Sequence, residues 1–323
     1  MRDNVRIIAI EEHFDPPHND EAFALKSEEE RVQAAINVGK EHIAAMDSRG
    51  VDVRVLSPGP TGRKILTGKD NIEFCANTNR FLYDIVRHNP GRLEGLAIVP
   101  MSDPAAAAAE LNHAVKNYGF KGLFMTANVD GKYMDDPKYL PIFGEAAELG
   151  VPIYLHPFAP GKELFNLLYA GNYPDEVADM MARPGWGWHI EVAVSLMRLV
   201  MSGLFDRYPK LQIIVGHMGE AIPFMLPRMD RRLSQDLTKL DRSVLEYYRE
   251  NVYYTFGGFN FTPNFLNLYS QMGADRIIFS TDYPYDQDVD AVEFLLGLPI
   301  CPADRNRIAH ENAEKLMKIP SKA

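Results

Sequence analysis

The chain has 323 residues, 46% hydrophobic and 24% charged, the balance of a globular protein with a sizeable core. A formal net charge of -10 argues against a nucleic-acid partner, no run approaches about 18 apolar residues, and the first residues lead straight into a strand, so the expectation is a cytoplasmic protein without membrane or signal segment. Cys75 and Cys301 are too few for a disulfide framework or a thiolate zinc site, which leaves histidine and carboxylate to hold any metal.

Residues 5–14, VRIIAIEEHF, read as a strand buried on both faces that stops at two carboxylates and an imidazole. Along an extended strand Glu11 and His13 project to one side, within reach of one metal ion, and Glu12 faces the other way. Taken alone, the motif reads equally well as the polar end of a strand. A polar loop with Pro16, Pro17 and His18 follows, His18 being expected to face solvent. Ser27 and Glu30 then make a capping-box pattern, and helical spacing continues to Ile43 and Met46, with His42 as a surface or packing residue.

Residues 51–56 form a second strand ending in the turn-rich SPGPTG, and 72–88 a helix whose His88 meets the last carbonyls. A third strand spans 93–100. Asp103-Pro104 opens the next helix, through alanines 105–109, with His113 inside it. The fourth strand, 120–125, ends without a ligand-type residue. Residues 137–149 are helical, capped by Asp136, stopped by Gly150, with Pro141 splitting off the first turn. Strand five, 151–155, delivers His156 just before Pro157; a core or loop histidine would look the same in isolation.

Residues 158–188 are the longest irregular stretch, rich in proline and glycine, and are expected to cover a cavity as a loop spanning about 157–190. His189, just past that cover, stays unassigned. A helix over 191–204 leads to strand six, 211–215, which runs into Gly216-His217-Met218-Gly219-Glu220, where glycine permits close approach to a ligand. The following helix carries Arg228, about three turns beyond His217. Strand seven is 252–255, followed by Gly257-Gly258, and strand eight, 276–280, delivers Asp282 before Tyr283-Pro284. The closing helix, 304–317, contains His310, far from any strand end.

Eight strands separated by helical stretches fit an α/β fold of the (β/α)8 TIM-barrel type, in one domain over 1–323. A doubly wound sheet has similar spacing, but ligand-type residues at several strand ends favour closure. In a closed barrel Glu11, His13, His156, His217 and Asp282 surround one cavity. Their nitrogen and oxygen donors suit zinc, with manganese as the alternative.

The chain resembles the amidohydrolase superfamily, in the branch of non-oxidative aromatic decarboxylases that includes the γ-resorcylate, 5-carboxyvanillate and aminocarboxymuconate-semialdehyde enzymes. The resemblance runs nearly end to end, through IEEHF, GRLEGLAIVP, YLHP, SGLFDRYPKLQIIVGHMGEAIPF, DRIIFSTDYPY and ENAEKL. EEHF is like the resorcylate type, whereas some relatives have Ala in place of His13. By resemblance, Glu11, His13, His156 and Asp282 hold the metal, and His217 and Glu220 line the substrate and orient proton transfer. Arg228 reaches the neighbouring subunit's site, which implies a homodimer or homotetramer.

The implied substrate is a small aromatic acid whose carboxylate and ortho hydroxyl chelate the metal. Asp282 then protonates the ring carbon that carries the carboxylate, and His217 stabilises charge on the substrate oxygen. Phe14, Phe259 and Tyr283 stack on the ring or merely pack. The competing reading is a hydrolase of an ester, lactone or amide, with a metal-bound hydroxide and Asp282 as base. Hydrolytic relatives usually begin with His-x-His, so Glu11 leans toward the decarboxylase.

Overall fold

The computed structural model describes residues 5–16, 27–59, 67–129, 131–286 and 291–321, so His18 and part of the SPGPTG turn lie outside the described residues. All eight expected barrel strands are present. They are β1 (Ile8–Phe14), β2 (Val53–Pro58), β3 (Leu93–Ala97), β4 (Gly122–Thr126) and, after a small hairpin of β5 (Asn128–Val129) and β6 (Lys132–Tyr133), β7 (Ile153–His156), β8 (Ile213–Val215), β9 (Val252–Thr255) and β10 (Ile277–Ile278). They neighbour one another in the order β1-β2-β3-β4-β7-β8-β9-β10, every pair parallel. Ile10 N donates to Phe279 O at 3.1 Å, which brings the last strand back to the first and makes the sheet a (β/α)8 barrel.

Helices α1 (Glu28–Arg49), α2 (Gly68–Arg87), α3 (Pro104–Tyr118) and α4 (Leu140–Leu149) follow the first four barrel strands. Between β7 and β8 lie α5 (Lys162–Leu168), α6 (Asp175–Ala182), α7 (Gly187–Met201) and α8 (Leu204–Arg207). Next come α9 (Ile222–Arg232), α10 (Gln235–Thr238), α11 (Val244–Glu250) and α12 (Thr262–Met272), then α13 (Ala291–Gly297), α14 (Pro302–Asn306) and α15 (Asn312–Met317). The start and stop signals act where the sequence puts them. Ser27 Oγ accepts from Glu30 N at 3.2 Å, Asp103 caps α3 ahead of Pro104, and Gly50 and Gly150 end α1 and α4 at positive φ. A 3-10 turn over Pro137–Tyr139, capped by Asp136, precedes α4, so Pro141 does separate the first turn.

Strand alternation sorts the apolar residues into two layers. Ile8, Ile10, Val53, Val55, Phe124, Tyr154, Ile214 and Ile278 fill the barrel, while Ala9, Leu123, Leu155, Ile213 and Val215 pack outward against the helices. One expectation is corrected. The cover over 157–190 is not an irregular loop: α5, α6 and the start of α7 occupy most of it, because its prolines sit at or before helix starts rather than inside them. The closing helix does run on through 304–317 as expected, with a π-turn over Arg307–Glu311 inside it where α14 passes into α15. Among the described residues no helix is long and apolar enough to cross a membrane.

Candidate metal centre and catalytic cavity

Strict alternation continued from the inward Ile8 and Ile10 would bring Glu12 inside and leave Glu11 and His13 outside. A bulge between Ile10 and Glu12, with Glu11 at φ 83°, resets the phase, so that Glu11 and His13 both face the barrel mouth. Glu11 Oε2 accepts from Thr255 Oγ1 and, at 3.2 Å, from Ser280 Oγ. Its Oε1 has no hydrogen-bond partner among the described residues and lies 3.5 Å from His217 Nδ1. Gly216 and Gly257 make room, since a Cβ on either would collide with the Glu11 carboxylate.

His13 Nδ1 lies 3.0 Å from Ser57 Oγ, which turns Nε2 inward. There it has no hydrogen-bond partner among the described residues and lies 3.4 Å from Asp282 Oδ1. His156 Nδ1 donates to Pro157 O at 2.8 Å, leaving the Nε2 lone pair free, and its ring stands 4.9 Å from that of His13. Asp282 sits in the left-handed region at φ 61°, a conformation kept only where the surroundings impose it.

Burial raises the Glu11 pKa to about 7, against the lowering by His217. Burial, with the neighbouring imidazoles, drives His156 well below its ordinary value and keeps it neutral. Burial alone would raise Asp282, but the adjacent imidazoles of His13 and His217 outweigh it and hold the carboxyl below its usual range. Glu11, His217 and Asp282 bring ligand atoms within 4.8 Å of one another, His13 Nε2 lies 3.4 Å from Asp282, and the neutral His156 ring stands 4.9 Å from that of His13. That donor set fits a divalent cation of the oxygen- and nitrogen-preferring kind.

The GHMGE segment is not the start of a continuous helix. Met218, Glu220 and Ala221 all have positive φ and form a tight turn ahead of α9. This turn folds Glu220 back, so that its Oε1 lies 2.7 Å from His217 Nδ1 and its Oε2 2.6 Å from His189 Nδ1. Burial would lower the His217 pKa, yet Glu220 and Glu11 carry it well above the ordinary value. Burial would raise Glu220, yet His217 and His189 hold it low. His217 is thus a cation whose Nε2 faces Asp282 Oδ2 at 3.8 Å.

A cavity of about 450 Å³ opens over these groups, and His156, His217 and Asp282 lie at its wall. Of the three aromatic residues expected at the substrate, only Phe259 lines it, edge-on to His217 at 5.6 Å. Phe14 packs into the outer core against Phe81 at 6.0 Å. Tyr283 lies outside the barrel wall beneath Arg54, whose guanidinium is 4.2 Å from its ring. Trp188 and Tyr285 line the cavity instead, with Arg183 and Pro184 from the cover. An aromatic beside a ligand in sequence is as easily turned out of a barrel as into it, and only the strand phase decides. Arg228 is exposed on α9 and does not line this chain's own cavity.

Glu12 faces away from the metal centre, as expected, but not into water. It is fully buried, with an ion pair to the equally buried Arg54 at 3.0 Å. Its carboxylate also accepts from Thr281 N at 2.8 Å and from Thr281 Oγ1. Arg54 Nη1 in turn donates to His42 Nδ1 at 3.2 Å, and burial with Arg54 nearby lowers the His42 pKa to about 3, so His42 stays neutral. Sequence reasoning missed this network and left His189 unassigned, between facing the cavity and beginning the next helix; the one available signal for the network was an arginine between two valines in a strand.

The amidohydrolase family model matches residues 16–319. A γ-resorcylate decarboxylase from Rhodococcus jostii is 34% identical over 97% of this chain and 98% of its own length. Among solved structures, 5-carboxyvanillate decarboxylase from Sphingomonas paucimobilis superposes with a TM-score of 0.85 at 29% identity, covering 98% of this chain and 100% of that one. Dihydroxybenzoic acid decarboxylase from Polaromonas, solved with manganese and the inhibitor 2-nitroresorcinol, also gives 0.85, at 32% identity and 98% of both chains. With the barrel, the strand-end carboxylates and histidines and this full-length similarity in place, the chain belongs to the amidohydrolase family, in the branch of the γ-resorcylate and 5-carboxyvanillate decarboxylases.

Proposed function

We propose that the protein is a metal-dependent, non-oxidative decarboxylase of a hydroxylated aromatic acid of the γ-resorcylate type. The observation that carries this reading is that Glu11 and His13, whose Oε1 and Nε2 are buried without a hydrogen-bond partner among the described residues, both stand beside Asp282, within 4.8 Å and at 3.4 Å, in a chain that matches γ-resorcylate decarboxylases over 97% of its length. Glu11, His13, His156 and Asp282 are the metal ligands in this reading. Manganese is the first choice and zinc the alternative, because the Polaromonas relative holds manganese and no thiolate favours zinc here. The bound ion supplies Lewis-acid polarisation of the substrate's carboxylate and ortho-hydroxyl oxygens.

The protein's own groups manage the proton. His217, cationic and 3.8 Å from Asp282, is the store, and Glu220 holds its ring in place through Nδ1. The proton passes from Nε2 to an Asp282 oxygen and from there to the ring carbon that bears the carboxylate. The bond from that carbon to the carboxylate then breaks, its electron pair restores the aromatic ring, and carbon dioxide leaves. Phe259 and Trp188 offer the ring apolar faces within the cavity.

The test is carbon dioxide release from 2,6-dihydroxybenzoate, run beside lactone hydrolysis. Decarboxylation that is lost on chelation and restored by manganese is the expected result; hydrolysis without decarboxylation would replace this reading with the metal-hydroxide one.

Arg228 belongs to the same proposal as a residue given to the neighbouring subunit's cavity. It is exposed on α9, next to the turn that carries Phe224 and Met225, themselves 78% and 46% exposed, an apolar patch suited to a second copy of the chain. Light scattering is expected to return the mass of a dimer or tetramer, and Arg228→Ala to raise KM about tenfold, the loss of one charged hydrogen bond. A monomer with an unchanged KM in the variant would refute the shared site.

A further inference from the structure

His189 sits at the third position of α7, on the cavity wall, with both ring nitrogens engaged by the protein. Nδ1 lies 2.6 Å from Glu220 Oε2, and since a carboxylate there only accepts, Nδ1 donates. Nε2 lies 3.0 Å from Pro184 O and 3.2 Å from Trp188 Nε1, both in the cover. The ring stands 4.6 Å from that of His217 and 5.2 Å edge-on from that of Phe259. His189, His217 and Glu220 are close enough together to suggest a second metal site. The hydrogen-bonded contact of His189 with Glu220 and the engagement of its other nitrogen leave it no lone pair aimed at an ion.

We propose that His189 is a positioning residue that holds Glu220, and through it the imidazole of His217, in register with the helical cover. This rests on the decarboxylase reading for its kinetic consequence alone. Glu220 is buried and has one oxygen for each imidazole. With the donor to Oε2 removed, only His217 holds the carboxylate, and the ring whose Nε2 faces Asp282 is fixed less firmly. The cover enters through the same imidazole: Pro184 and Trp188 touch Nε2, so a cover out of place loosens the grip on Glu220. Geometry for proton delivery and closure of the cavity are thereby linked.

The experiment compares His189→Leu with His189→Asn in the metal-loaded full chain. Asn returns an N–H toward Glu220 from the position of Nδ1; Leu fills the space without a donor. With 2,6-dihydroxybenzoate, Leu is expected to lower kcat by about 10–100-fold, the usual size for loss of an outer hydrogen-bond partner, with little change in KM. Asn should recover most of that loss, and metal content should stay at one ion per chain in all three proteins. Equal impairment in both variants, wild-type kcat in the Leu variant, or a second ion lost with His189 would overturn the proposal. A readout independent of turnover is the low-field proton resonance of the His217 Nδ1–H bond to Glu220 in the zinc-loaded protein. It should persist in Asn and shift or vanish in Leu. If wild-type protein fails to decarboxylate while this pattern holds, the reaction assignment falls and the positioning role stands; an unchanged signal in all three sinks the positioning role itself.

Discussion

Asp282→Asn is expected to abolish turnover while leaving substrate able to bind. The side chains are nearly isosteric, so the cavity keeps its shape, but an amide cannot carry a proton to the ring carbon. Loss of a positioned general acid costs about 10²–10⁴-fold in rate, and the fall should appear in kcat. The neighbours sharpen the expectation, because Asp282 faces His13 at 3.4 Å and His217 at 3.8 Å and shares the cavity wall with the cationic imidazole. Asp282 is also one of the proposed metal ligands, so metal content must be measured in the same preparation and manganese supplied in excess. Calorimetric binding of 2,6-dihydroxybenzoate with no detectable carbon dioxide is the predicted pair of results. Substantial activity in a metal-replete Asn variant would remove Asp282 as the acid.

The second large effect is on stability, and it arises outside the cavity. Arg54→Met should destabilise the fold by about 3–5 kcal/mol, the usual cost of leaving one member of a buried ion pair uncompensated. Both Arg54 and Glu12 are 0% exposed, so no water is at hand to solvate the stranded carboxylate. Pairing Arg54→Met with Glu12→Gln should recover most of the loss, since it removes both charges while Gln keeps an oxygen for Thr281. Urea unfolding of the two variants measures the difference. Equal destabilisation of the single and the double variant would show that packing rather than charge is responsible. The position also matters to the metal: Glu12 lies between Glu11 and His13 and grips Thr281, the residue before Asp282. The single variant should therefore bind manganese about 10–100-fold more weakly, in line with other outer-sphere losses.

The eight strands could be read from the residues because parallel barrel strands are buried on both faces and show as short β-branched runs. Strand ends could be read for the same reason: an apolar run that stops at His13, His156 or Asp282 marks the place where the backbone reaches the mouth. Helix limits followed from Ser27, Asp103, Asp136 and Gly150, each a local effect of a cap or of a left-handed turn. The cover was harder to read. Its prolines and glycines suggested a loop, but the apolar spacing in 175–182 and 187–201 was helical throughout.

Sequence by itself determined what depends on near neighbours: strand and helix order, the family, and the identities of the groups brought to the barrel mouth. Tertiary structure alone decided which way those groups turn. The bulge at Glu11 inverts the phase of β1, and it holds because the Glu11 carboxylate finds Thr255 and Ser280 across the barrel. Tyr283 was lost to Arg54 and Phe14 to Phe81, while Trp188, Tyr285 and His189 came to the cavity from segments with no strand-end signature. Such choices depend on partners tens to hundreds of residues away, and a buried polar group takes the orientation in which a partner awaits it. No local pattern of residue types encodes that partner.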